Sequence, residues 1–193
     1  MKKSNIFLFH SLNGDTLKMW GKDVKAKFEN QTEVVMPQFP IRAESSYQKF
    51  EAIVLEYLNN KTLNENSIVV CHSIGNAYFI RFSAKHGFKP KAYISVAPGA
   101  IYEYPETRTD YIVEVKKQAY LKREEFDYVK KNFENVVCFY SDEDDNNLEK
   151  FERFVEDTGA EGFYLKGYNH FDGYHDVHEV PEVIEKLNEF LNK

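Results

Sequence analysis

The chain is poor in the residues that cross-link or anchor small proteins. It has only two cysteines, Cys71 and Cys138, which lie far apart and form no C-x-x-C pair. This spacing supports neither a disulfide framework nor a zinc knuckle, so both thiols are expected to be small buried hydrophobes. A length of 193 residues is enough to bury a core without such supports.

Long apolar runs and an excess of positive charge are also missing. No run approaches the length of a membrane span, and the four apolar residues from Ile6 to Phe9 are too few for a signal-peptide core. We therefore expect a cytoplasmic protein. The 31 acidic residues outnumber the 25 basic ones, which gives a net charge of -6 and argues against binding nucleic acid through its phosphates.

Short β-branched or aromatic runs alternate with longer amphipathic stretches, which is typical of a parallel α/β sheet. The expected strands cover residues 6–9, 33–36, 68–71, 92–96, 136–140 and 162–165. The expected helices cover residues 17–29, 47–60, 74–86, 123–132, 148–158 and 181–191. Most strands are apolar throughout, so helices should cover both faces. We predict one α/β domain over residues 1–193, with a three-layer, doubly wound, mainly parallel six-stranded sheet.

Residues 98–121 do not follow this alternation and are rich in tyrosine, including Tyr102 and Tyr111. Ligands of an open parallel sheet bind at the carboxyl ends of its strands, so an insertion after strand 92–96 would lie over that site. The segment is either a small substrate-covering lid or an ordinary surface excursion. If it is a lid, Tyr102 and Tyr111 are candidates for the substrate pocket.

The stretch from Ile68 to Ala77 is the most informative part of the sequence. It predicts a buried strand, a sharp turn at Ser73 and a helix, which is the layout of the G-x-S-x-G nucleophile elbow. Small residues are needed on both sides because the strand and helix backbones approach closely there. Gly75 meets this requirement, and Cys71 stands where the first glycine is expected.

A nucleophilic serine needs a base, and the base needs an acid that fixes its tautomer. The elbow fold orders them Ser, Asp or Glu, His along the chain. Asp144 lies in the acidic turn 141–146 after one predicted strand, and His170 lies in the loop after another. Asp142 and Asp145 could instead cap the following helix. The turn also resembles a calcium loop, but Asn147 and Arg153 occupy the positions of its glycine and glutamate.

Histidine and aspartate residues between positions 170 and 178 form a local cluster that could hold a divalent metal, but their spacing fits no known helical pair of ligands. We therefore expect no metal. His170 could also be a hydrogen-bonded loop residue. His72 is expected to pack or hydrogen-bond near the turn, and His86 to interact with a helix C-terminus.

An oxyanion hole needs two backbone N–H groups aimed at the developing charge. One is expected from Ile74, directly after the serine, and the other from Leu12 in the loop after the first strand. His10 in that loop is a candidate pocket residue. The alternative is a plain turn before a helix capped by Asp15 or Thr16.

These features resemble the small α/β-hydrolases that include retinoblastoma-binding protein nine and the bacterial YdeN-type serine hydrolases. The resemblance covers nearly the whole chain and rests on residues 10–14, 36–40, the elbow, the acidic turn and 169–171. It implies Ser73 as nucleophile, Asp144 as acid and His170 as base. The chain departs from the pattern at Cys71, at Ser11 and Asn169 in place of glycines, and at Asp145 in place of a proline.

The implied activity is hydrolysis of an ester or similar small acyl compound without a cofactor. The tyrosine-rich segment suggests an apolar or aromatic acyl group as substrate. Two alternatives stay open: a weakly active hydrolase-like protein that binds a protein partner, and a metal-dependent hydrolase.

Overall fold

A computed structural model describes residues 4–99, 101–102, 111–141 and 147–193. Six strands form one sheet in the order β2-β1-β3-β4-β5-β6. All five strand pairings are parallel. The strands are β1 (Ile6–Phe9), β2 (Val34–Val35), β3 (Ile68–His72), β4 (Ala92–Val96), β5 (Val136–Ser141) and β6 (Glu161–Leu165).

All six predicted strands are confirmed, and β2 is the one that differs most in length. It has two residues, whereas the sequence predicted four at 33–36. It lies at the edge of the sheet and pairs with β1 alone. Pro37 follows shortly after it and has no N–H to extend a ladder of hydrogen bonds, so the strand ends early.

Seven α-helices lie in the described ranges: α1 (Trp20–Phe28), α2 (Tyr47–Asn59), α3 (Ile74–His86), α4 (Tyr111–Lys117), α5 (Arg123–Asn132), α6 (Asn147–Thr158) and α7 (Pro181–Asn192). The first begins later than predicted because a separate 3₁₀ turn, Asp15–Leu17, precedes it.

Helix α4 was not predicted, because the whole segment 98–121 was expected to be irregular. Its seven residues are too few to show a helical period, and two of them, Ile112 and Val113, are adjacent β-branched residues that favour strands. Residues 103–110, between β4 and this helix, lie outside the described ranges.

Two apolar layers pack on opposite faces of the sheet. Side chains from α2, α3, α5 and α6, such as Phe50, Phe79 and Phe126, pack with Phe7 and Phe9 of β1 on one face. Side chains from α1 and α7 pack on the other face with Ile6 and Leu8 of the same strand. The alternation along β1 shows why the strand is apolar throughout, since each face has its own core. The three-layer prediction is confirmed.

The parallel arrangement places the carboxyl ends of all strands at one edge of the sheet. The segments that follow β1, β3, β4 and β6 therefore begin at the same edge, and they carry the candidate site residues. In the ranges described, no helix is both long and apolar enough to cross a membrane.

Candidate active site

Ser73 occupies the sharp turn between β3 and α3 and has a backbone conformation that L-residues rarely adopt, with φ 54° and ψ -124°. Gly75 explains how the turn fits. A Cβ atom at that position would stand 3.0 Å from the carbonyl oxygen of His10 and 3.3 Å from that of Phe9. The first turn of α3 therefore packs against the end of β1, as the elbow requires. Cys71, in place of the other glycine, is fully buried within β3.

Asn76 holds the elbow in place, a role that the sequence analysis missed. Its fully buried side-chain amide donates to the carbonyl of Ser73 at 2.9 Å and to that of Val96 at 3.2 Å. Its Oδ1 accepts the hydroxyl of Tyr93 at 2.7 Å. A buried amide inside the first turn of a helix is costly unless it is bonded. An asparagine among the apolar residues at the start of this helix was therefore the sequence signal that could have identified its role.

His170 lies against the serine. Its Nε2 is 2.9 Å from the Oγ of Ser73, and both side chains are half-buried. A hydroxyl hydrogen directed at this nitrogen requires the tautomer in which Nδ1 carries the ring proton. The structure therefore joins two of the predicted residues, which are 97 positions apart in the sequence.

The loop that carries His170 is strained and firmly held. Its neighbours Asn169 and Phe171 both have positive φ, 47° and 55°. Asparagine tolerates this region better than most residues, so it can stand in the glycine position before the histidine. Phe171 is fully buried, its ring stacks on Tyr168 at 5.1 Å, and its carbonyl accepts the indole N–H of Trp20 at 2.9 Å. Such contacts are needed to maintain a strained segment.

Leu12 in the loop after β1 and Ile74 at the start of α3 are the predicted oxyanion donors. Within the described part of the chain, the backbone N–H groups of Leu12 and Ile74 have no acceptor. The N–H of Ser11, by contrast, donates to the Oγ1 of Thr16 at 3.4 Å. Ser11 has no positive φ, so replacing a glycine there strains nothing. Among the described residues, no side chain caps the following 3₁₀ turn, which does not favour the alternative of a plain capped helix start.

His10 connects this loop to the segment after β2. Its Nδ1 donates to the carbonyl of Ser11 at 2.7 Å, and its Nε2 accepts the N–H of Phe39 at 2.9 Å. Burial lowers the pKa of His10 and keeps the ring neutral, as this pattern requires. Both ring nitrogens are engaged, so His10 can offer a substrate only its carbon edge.

A narrow cleft lies beside Ile74. His10, Ser11 and Ile74 line one side of it. The aromatic rings of Phe39, Phe50 and Tyr78 form its other walls, with Pro40, Ser45, Ser46 and Gly75 completing the lining. The Tyr78 hydroxyl is buried.

Tyr102 has a different role from the one expected. It is only 6% exposed, its ring stacks on Phe126 at 5.3 Å, and its hydroxyl donates to Asp157 at 3.0 Å. The guanidinium of Arg153 lies over the ring at 3.9 Å from its centroid. These contacts and its burial place Tyr102 in the core between α5 and α6.

Several predicted residues cannot be placed. Asp144 lies outside the described residues, as do Asp142 and Asp145 of the same turn. The backbone of Tyr111 begins α4, but its side chain also lies outside them.

The histidines that follow His170 form local pairs. His175 bonds Asp172 at 2.7 Å, and His178 bonds Asp176 at 2.9 Å. In the described ranges, no three His, Cys, Asp or Glu side chains gather in a way that could hold a metal. His86, near the end of α3, bonds Glu51 at 2.7 Å.

No protein-family model and no curated protein matches the sequence. Solved structures do match, and they define the class: the chain has the α/β-hydrolase fold that it shares with esterases, lipases and other hydrolases. The ydeN gene product of B. subtilis matches with a TM-score of 0.81 at 15% identity, over 100% of both chains.

Two other similar structures extend this comparison. A carboxylesterase of Nitrososphaera gargenis has a TM-score of 0.71 and 14% identity, over 99% of this chain and 90% of its own. Est1E of Butyrivibrio proteoclasticus, with ferulic acid bound, has a TM-score of 0.73 and 14% identity, over 98% and 88%. At such identities the similarity shows the fold alone. It agrees with the predicted resemblance to YdeN-type proteins, while the relation to retinoblastoma-binding protein nine stays a prediction.

Proposed function

We propose that this protein is a serine hydrolase that cleaves a carboxylic ester or a similar small acyl substrate. The observation that carries the proposal is the 2.9 Å contact between Nε2 of His170 and Oγ of Ser73. The serine hydroxyl is a weak nucleophile until a base takes its proton, and this contact provides the base. The strained elbow supports the same role, because it exposes the hydroxyl above the edge of the sheet.

The reaction follows from this pair. Ser73 Oγ attacks the acyl carbon as its proton passes to His170 Nε2, and the imidazolium returns the proton to the leaving alcohol. Water, activated by the same nitrogen, then attacks the acyl-enzyme and releases the acid. The free N–H groups of Leu12 and Ile74 are the proposed donors to the oxyanion.

Asp144 is proposed as the acid that holds His170 in the required tautomer. It follows β5, and His170 follows β6, which is the neighbouring parallel strand. Residues that follow adjacent parallel strands begin at the same edge of the sheet, so the chain order is suited to bring the two side chains together.

The cleft beside Ile74 is the proposed acyl site. The rings of Phe39 and Phe50 pack at 4.5 Å and give it apolar walls. This supports an apolar or aromatic acyl group, with Phe39 and Phe50 in place of the tyrosine first expected at position 102. The carboxylesterase and the lipolytic enzymes among the similar structures support the same reaction class.

A fluorophosphonate probe tests the proposal. The native protein should become labelled at Ser73 and hydrolyse p-nitrophenyl esters, and Ser73→Ala should lose both activities while keeping its fold. Ser83→Ala is a matched control, because it removes a buried serine hydroxyl from α3 that does not line the cleft. Failure of the folded native protein to react would refute the proposal and favour a binding role. Loss of ester hydrolysis to a chelator, restored by a metal, would favour a metal-dependent hydrolase.

A further inference from the structure

His72, the residue before the candidate nucleophile, is completely buried and uses both ring nitrogens. Its Nε2 lies 2.7 Å from the backbone carbonyl oxygen of His170, and its Nδ1 lies 2.5 Å from the Oγ1 of Thr16. A carbonyl can only accept, so Nε2 carries the ring proton. Nδ1 is then bare and accepts the hydroxyl hydrogen of Thr16.

The contacts continue through Thr16 to the loop after β1. The Oγ1 of Thr16 also accepts the N–H of Ser11, at 3.4 Å. Hydrogen bonds therefore run in one direction from Ser11 to Thr16, to His72 and to the carbonyl of His170. They join the loop of the proposed oxyanion hole to the loop of the proposed base, and they pass directly beside Ser73. Because Ser11 uses its N–H here, the next N–H along the loop, that of Leu12, is the proposed donor to the oxyanion.

The backbone around His170 is strained, because residues 169 and 171 on either side have positive φ. A hydrogen bond to the carbonyl of His170 therefore helps to fix its position. Strained backbone relaxes unless its surroundings fix it. The indole of Trp20 packs edge-on against His72 at 6.0 Å and bonds the next carbonyl, that of Phe171. Two buried side chains thus hold two consecutive carbonyls of the strained loop. Burial lowers the pKa of His72 to about 3, so the neutral ring that the pattern requires persists at neutral pH.

We propose that His72 and Thr16 are positioning residues, which fix the backbone of His170 so that its imidazole meets the hydroxyl of Ser73 and which couple this loop to the oxyanion loop. The inference rests on the proposed function for its catalytic consequence. The anchoring itself rests only on the hydrogen bonds.

The first test replaces the His72 ring with side chains that differ in their ability to form hydrogen bonds. His72→Phe keeps the bulk and removes both hydrogen bonds, whereas His72→Gln retains a donor for the carbonyl. We expect His72→Phe to lower kcat for p-nitrophenyl ester hydrolysis by roughly 10- to 100-fold with little change in KM, because misplacing a catalytic group by about 1 Å has effects of that order. His72→Gln should recover most of the loss.

Thr16 provides a second variant in the same chain of bonds. Thr16→Val removes the hydroxyl at nearly constant volume and should lower kcat in the same direction, and Thr16→Ser should restore it. The double variant His72→Phe with Thr16→Val should be little worse than His72→Phe alone, because both substitutions break one network. If the fold loss in kcat of the double variant equalled the product of the two single losses, His72 and Thr16 would act independently, which would contradict a shared network.

A final control separates anchoring from general destabilisation and from the proposed chemistry. Phe190→Leu, in α7, weakens the same face of the core without touching the site. At matched Tm, peptides covering residues 166–172 should exchange amide hydrogens faster in His72→Phe than in Phe190→Leu. Equal exchange, or equal kcat in the two variants, would overturn the proposal. If the native protein fails to react with the probe, the proposed function fails, and the exchange comparison still decides whether His72 anchors the loop.

Discussion

Gly99 lies so close to Ser73 that a Cβ atom at position 99 would stand 3.1 Å from the serine Oγ and 3.6 Å from Cε1 of His170. The segment after β4 therefore crosses directly over the pair that we propose as nucleophile and base. A hydrogen at this position leaves the hydroxyl room to attack a substrate, and even a methyl group would narrow that space.

Gly99→Ala should slow acyl transfer while leaving the fold intact. Crowding of this kind costs about 1–3 kcal/mol, which corresponds to a loss of roughly 5- to 150-fold in kcat/KM if it falls on the transition state. Fluorophosphonate labelling rates and thermal unfolding would check this. Gly87→Ala is the matched control, since no atom of the described residues lies within 4 Å of its added Cβ but its φ of 67° disfavours alanine. It should lower stability by about 1 kcal/mol and leave the activity unchanged.

Asn76→Ala should impair both stability and activity. The substitution removes the side-chain donor to the carbonyls of Ser73 and Val96, which keep only their backbone donors, and it removes the acceptor of the Tyr93 hydroxyl. We expect a loss of about 2–4 kcal/mol in unfolding free energy and a lower kcat, because the elbow is no longer held. Ser83→Ala on the same helix is the control, since its buried hydroxyl has no hydrogen-bond partner among the described residues and should be dispensable. Equal effects of the two substitutions in urea unfolding would show that the hydrogen bonds of Asn76 do not hold the elbow.

Tyr102→Phe should affect stability and not substrate choice. The hydroxyl bonds Asp157, so its removal should cost about 1 kcal/mol in unfolding free energy. The ring and its stacking on Phe126 remain. Selectivity across p-nitrophenyl esters of increasing chain length should match that of the native protein, while Phe39→Ala, which widens the cleft, should shift it toward larger acyl groups. A selectivity change in Tyr102→Phe would return this tyrosine to the substrate pocket.

Local patterns were sufficient to predict the sheet, and the contact of Ser73 with His170 was predicted from their positions after parallel strands, whose carboxyl ends share one edge. Apolar runs between amphipathic stretches define buried parallel strands, and a small-residue turn after one of them defines the elbow. Asn76 and His72 were not assigned their roles, since their partners are backbone carbonyls that come close only in three dimensions. Tyr102 was predicted to line a pocket for a related reason. A tyrosine suits a pocket or a core equally, and its place beside Phe126 and Asp157 is known only from the structure.

The free energy of unfolding should fall in acid because His72 binds a proton more readily in the unfolded chain than in the folded protein. Burial lowers the pKa of His72 to about 3, whereas the unfolded chain takes up this proton near pH 6.5. The unfolded state binds more protons between these values, so the stability that is fully present above pH 6.5 is lost as the pH falls toward 3. The advantage of the native protein over His72→Gln should shrink by about 1.4 kcal/mol per pH unit in this window. Urea unfolding at pH 7, 6 and 5 would measure it, and a constant difference would contradict a buried neutral ring.

The acid of the proposed triad can be identified by three matched substitutions in one turn. Asp142, Asp144 and Asp145 lie within four residues of each other after β5, and each can be changed to asparagine with almost no change in size. Losing the partner of a catalytic histidine leaves it in the wrong tautomer and lowers kcat by roughly 10⁴. We expect this loss for Asp144→Asn alone, with the other two variants within a few-fold of the native protein. A large loss confined to Asp142→Asn or Asp145→Asn would move the role to that residue, and uniform small losses would remove the acid from this turn.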